Sequence, residues 1–109
     1  MIVTEDDVSA ALAYLAADPH PLALARYDLR KAESELRDVY NDLFLQVTGS
    51  NELRRALAEH SVLWRTARDA TNSAFLEVEA HRERQTWALS VRDIWREEGF
   101  RVRAAESIR

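Results

Sequence analysis

The sequence contains no cysteine, two glycines and two prolines in 109 residues. Without cysteine there is no disulfide framework, no thiolate zinc site and no cysteine nucleophile. So little glycine and proline cannot supply the many tight turns of a sandwich or barrel. Strand formers are also sparse, with 8 Val, 3 Ile and 9 aromatic residues. No stretch of 18 uncharged apolar residues occurs, which predicts a chain without a transmembrane helix. The acidic start, Met1-Ile2-Val3-Thr4-Glu5-Asp6-Asp7, lacks the basic and apolar regions of a signal peptide. The expectation is a soluble, cytoplasmic protein.

In their place the chain has 17 Ala and 13 Leu, a composition suited to long helices. Its length suits one domain. The net charge is −4, but unevenly spread. Residues 1–50 carry nine acids and four bases, whereas residues 80–109 carry five acids and seven bases. That balance argues against a general nucleic-acid coat, and it is too weak for a DNA mimic. Fourteen of the fifteen bases are Arg and one is Lys31.

Helix signals divide the chain. Thr4 followed by Glu5, Asp6 and Asp7 is a helix start, because the hydroxyl can accept a backbone N–H three residues on and acids suit the positive helix end. Val8, Ala11, Leu12 and Leu15 come next at helical spacing. Asp18-Pro19-His20-Pro21 cannot continue that helix, and Pro21 suits the first position of the next. Leu22, Ala25, Leu29, Ala32, Leu36, Val39, Leu43 and Val47 then alternate by three and four as an a/d seam. Gly49 suits the left-handed position after a helix end, and Ser50 can cap a third helix.

From Asn51 to Gly99 there is neither glycine nor proline, which predicts one uninterrupted third helix closed by Gly99. Its first part has a seam at Leu53, Leu57, His60, Trp64, Ala67, Thr71, Ala74 and Val78. A short turn between two long helices makes them antiparallel. The expected pairs run from Val47 with Leu53 and Leu43 with Leu57, through Leu36 with Trp64, to Leu22 with Val78. The fold expected is all-α, a single domain with helices over about 4–17, 21–48 and 51–97 and a frayed tail over 100–109. The third helix would overhang its partner.

Few residues offer chemistry. His20, His60 and His81 are never four apart, and no Glu-x-x-His occurs on a helix, so no metal or cofactor site is expected. His81 reads as an exposed ion pair with Glu77, one turn before it, and His60 lies on the hairpin seam. No serine lies in a glycine-rich turn, and no phosphate loop exists. The chain is expected not to be an enzyme. Arg82, Arg84, Arg92, Arg96, Arg101 and Arg103, interleaved with Trp87 and Trp95, are candidate contacts for single-stranded DNA by charge and stacking. Glu83, Asp93, Glu97 and Glu98 among them give instead an ordinary charged surface.

The strongest unexplained feature is apolar: Trp87, Val91, Ile94 and Trp95, set beyond the reach of the second helix. Large apolar side chains do not stay bare on a soluble monomer. The first helix, through Val8, Leu12 and Leu15, or a second copy of the chain, would cover them. These four are the expected self-association residues, and a homodimer through 80–96 is the expected assembly, with a phage or host protein as a further partner.

Gly49-Ser50-x-Glu52-x-Arg54-Arg55-Ala56-x-Ala58-x-x-Ser61, with the later step Val91-Arg92-Asp93-Ile94-Trp95-Arg96, resembles a class of small bacteriophage helical-hairpin proteins. These have a Gly-Ser/Thr-x-x-Glu-Arg turn and a long helix that closes on an aliphatic-Trp-Arg step. In this chain Leu53 separates Glu52 from Arg54. The resemblance covers roughly residues 8–96. It implies an accessory role near phage replication or recombination, in the host cell cytoplasm, and no enzymatic activity. Three readings remain open: a self-associating accessory protein, a single-stranded DNA-binding or recombination-assisting module, and an inhibitor of a host protein.

Overall fold

A computed structural model describes residues 2–108; for Phe100, Arg103, Ala104, Ser107 and Ile108 it describes the backbone alone. The described chain is all-helical, with no strand. Four helices occur in order: α1 (Glu5–Ala16), α2 (Pro21–Gln46), α3 (Asn51–Glu59) and α4 (Val62–Ile108). The chain forms two compact units. One comprises Met1–Ala23 with Ala80–Arg109, the other Leu24–Glu79.

α1 begins as its sequence dictates. The Asp7 amide donates to the Thr4 hydroxyl at 3.1 Å, and the Thr4 amide donates to the Asp7 carboxylate at 3.0 Å, a reciprocal capping box. The helix stops before Asp18-Pro19, whose peptide bond is cis. His20 then caps α2 from its side chain: the Leu22 amide donates to His20 Nδ1 at 3.1 Å.

Along α2 burial matches the predicted seam. Leu22 and Ala25 are buried, and Leu29, Ala32, Leu36, Val39, Leu43 and Val47 are half-buried. The helix ends at Gln46, two residues sooner than expected. Gly49 has φ +130°, a positive value that lies beyond the left-handed helical well and is essentially glycine's own. A Cβ there would meet Leu53 Cδ2 at 2.9 Å. Ser50 caps α3 by accepting from the Leu53 amide at 3.2 Å.

The single third helix expected over 51–97 is two helices. α3 closes at His60, and Ser61 starts α4: its hydroxyl accepts from the Leu63 amide at 3.2 Å, and its carbonyl from the Arg65 amide at 3.1 Å. A serine hydroxyl can satisfy the orphan amides of a new helix start without help from glycine or proline. The break resets the helical phase. Leu53, Leu57 and His60, placed on the seam by their spacing, are exposed, while Arg54 and Ser61 are half-buried and Ala58 is buried. The Arg54 guanidinium helps to hold that rotation, donating to the Phe44 carbonyl at 3.0 Å and lying 4.3 Å from the centre of the Phe44 ring. From Trp64 the predicted seam is recovered at Ala67, Thr71, Ala74 and Val78. Thr71 donates to the carbonyl of Ala67 at 2.9 Å and approaches that of Ala32 at 3.3 Å.

Gly99 does not close the helix, and 100–108 is helical rather than frayed. Gly99 has no positive φ and no proline comes after it, so its cost of about 1 kcal/mol in a helix interior is borne. Arg101 pairs with Glu97 at 2.9 Å across it. Arg109 lies outside the described residues.

Candidate functional site

In the unit formed by Met1–Ala23 and Ala80–Arg109, α1 packs on the C-terminal half of α4. Ala11, Tyr14, Ala88 and Val91 form the buried cluster, with Val3, Val8, Leu15 and Trp87 against it. The four expected self-association residues therefore separate. Val91 is 1% exposed, filled in from within its own chain. Trp87 and Ile94 are half-buried, whereas Trp95 keeps 47% of its surface exposed. Val8 and Leu15 cover the stripe as expected, but Leu12 faces solvent. A 12-residue helix, little more than three turns, covers one stripe of another, and Trp95 lies round the side of that stripe.

Tyr14 ties this unit together. Its hydroxyl donates to the His81 carbonyl at 3.0 Å and lies 3.1 Å from His81 Nδ1. With one proton on the phenol already directed to the carbonyl, Nδ1–H is the donor of the second bond. Tyr14 stacks on His81 at 6.1 Å, meets His20 edge-on at 5.0 Å, and carries the Arg84 guanidinium 5.3 Å from its ring centre. Burial raises the Tyr14 pKa above its ordinary value, and the charge of Arg84 partly opposes the rise. His81, read from the sequence as an exposed ion pair, is half-buried here. The only hint in the sequence was that the polar octet 79–86 interrupts an apolar pattern.

His20 Nδ1 accepts a backbone amide, so the neutral ring carries its proton on Nε2. Nε2 is buried without a hydrogen-bond partner. The cluster has no exposed nucleophile, and among the described residues no group of three His, Cys, Asp or Glu gathers to hold a metal. Nor, among them, is any helix long and apolar enough to cross a membrane.

The candidate nucleic-acid arginines have different surroundings. Arg84 is placed over Tyr14, Arg92 pairs with Asp93 at 3.4 Å, and Arg101 pairs with Glu97. Arg82 and Arg96 are exposed, and the Arg103 side chain lies outside the described residues.

Two surfaces stand open. In the Leu24–Glu79 unit, Leu53 and Leu57 share one face of α3 at i, i+4 spacing, and both are about half exposed. Immediately after them Val62 is 76% and Leu63 65% exposed. The signal was present: once Ser61 is recognised as a cap, the seam shifts by one residue and leaves these side chains outside. In the other unit, a groove of about 420 Å³ opens between the start of α1 and the C-terminal part of α4, lined by Val3, Thr4, Glu5, Val8, Ser9, Trp95 and Glu98. Compared with known proteins, the chain matches no family model, no curated protein and no solved structure.

Proposed function

We propose that this chain is a non-enzymatic accessory protein, of the bacteriophage type it resembles, that self-associates and through its assembled form binds another macromolecule. The observation that carries the reading is a group of exposed apolar side chains around the α3–α4 junction. Leu53, Leu57, Val62 and Leu63 lie within eleven consecutive residues and all face solvent. Fully burying an exposed leucine or valine is worth about 1.5–3 kcal/mol and a half-buried one less, so these four side chains meeting four from a second copy supply a drive to pair.

The scaffold for these side chains is an antiparallel hairpin of α2 against α3 and α4. Two contacts support it: Arg54 reaches Phe44 and Thr71 reaches Ala32, so one arm of the hairpin advances as the other retreats. The homodimer then forms through the hairpin's turn end. Val91 is packed against α1 within its own chain, so the proposed interface does not draw on it. The non-enzymatic reading rests on the Tyr14 cluster, whose hydroxyl and imidazole groups are used in holding α1 to α4.

Light scattering at micromolar concentration tests the proposal. The parent is expected above the 12.5 kDa of one chain, and the Leu57→Glu/Leu63→Glu variant at 12.5 kDa with unchanged helical circular dichroism. A parent mass of 12.5 kDa, or a variant that still pairs, overturns it.

A further inference from the structure

We propose that the groove between the start of α1 and Glu98 is a docking site for an arginine side chain of a partner polypeptide. This goes beyond self-association and uses a surface in the other unit.

The groove has the two features a guanidinium needs. One wall is Trp95, a large aromatic side chain that is about half exposed. Two acidic residues, Glu5 and Glu98, stand at the lining, and among the described residues no basic one does. Val3 and Val8 give an apolar floor for the methylene stem. A guanidinium stacked on an indole gains both dispersion and attraction to the ring's negative face, and its fork can bind a carboxylate at the same time.

An anion is the wrong occupant. The capping box already engages the Thr4 and Asp7 amides at the start of α1. The helix end contributes roughly half a positive charge. The first turn of α1 sets Glu5, Asp6 and Asp7 against it, and Glu98 adds to them. Elsewhere this chain seats arginines on its own rings: Arg54 over Phe44, Arg68 over Trp64 and Arg84 over Tyr14. Among the described residues no guanidinium sits over Trp95. Arginine is favoured over lysine because the ammonium is compact and strongly hydrated and cannot stack. A polypeptide is favoured over a free amine because the groove is open. An open site buries little of a small ion, and flanking backbone adds contact area beyond the groove.

The probe is the capped peptide Gly-Arg-Gly-Arg-Gly, titrated into the full chain at low salt. The indole N–H resonance of Trp95 is the readout, assigned by its loss in Trp95→Phe. A saturable shift is expected. Glu5→Gln/Glu98→Gln should weaken binding roughly ten-fold or more, and added salt should weaken it in the parent. The self-association variant Leu57→Glu/Leu63→Glu should bind the peptide as the parent does, which separates this site from the α3–α4 junction. Four results overturn the proposal: no Trp95 shift, a shift indifferent to the two carboxylates in a variant of unchanged helicity, equal binding of the matched glutamine peptide, or equal binding of free argininamide.

Discussion

The Tyr14 phenol is buried, and its donor and its acceptor are both used on His81. Removing the hydroxyl leaves the second lone pair of the His81 carbonyl and the Nδ1–H without their partner. An unsatisfied buried group costs about 1–3 kcal/mol. Tyr14→Phe should therefore lower stability by that much in urea unfolding. The pH dependence has a definite sign. The folded chain holds the phenol neutral, because burial raises its pKa and Arg84 offsets only part of the rise. A raised value means that the contribution is whole below the ordinary tyrosine pKa near 10, and is lost as pH climbs through the folded value. Parent stability should fall along that alkaline limb. The fall attributable to Tyr14 should be missing in Tyr14→Phe; identical alkaline profiles would show that the phenol is not the group responsible.

At the scale of the element, Ser61 stands at the break that ends α3 and sets the phase of its leucines. Its hydroxyl satisfies an amide in the first turn of α4. Ser61→Ala should cost about 1 kcal/mol, while Ser61→Asp, an equally good cap, should cost little. The measurement is the urea midpoint at unchanged slope, since a lost cap alters stability and not the surface exposed on unfolding. Equal midpoints for alanine and aspartate would place the origin of the break elsewhere, for example in the Arg65 to His60 contact at 3.0 Å.

Across the whole molecule there are two compact units. Val91 belongs to the one that includes α1, where it is packed with Ala11, Tyr14 and Ala88. A carboxylate at Val91 would be buried without a partner, a loss of several kcal/mol. Val91→Asp should release α1, speeding hydrogen exchange at its amides. Amides in Leu24–Glu79 should keep their protection, because sub-global opening occurs in contiguous cooperative units. Uniform loss of protection along the chain would show one cooperative body instead. The neighbouring Trp95→Asp should leave exchange nearly unchanged, since that side chain is about half exposed already.

The amino-acid sequence by itself determined the features that depend on near neighbours. The capping box at Thr4, the stop before Asp18-Pro19, the α2 seam and the seam from Trp64 to Val78 are consequences of residues one to four positions apart. Helix periodicity and capping are local, so they can be read locally. The Ser61 break was equally local but carried no glycine or proline to announce it, and an error of one residue in phase moved Leu53 and Leu57 to the wrong side. The joining of Tyr14 to His81, 67 residues apart, was decided by tertiary structure alone. So was the division of Trp87, Val91, Ile94 and Trp95 into covered and uncovered side chains. All four are apolar at helical spacing, and only the placement of α1 determines which of them meets water. The same placement brings Glu5 to Glu98 and Trp95 around one groove, because a short helix laid along a longer one covers a stripe and leaves the flank open.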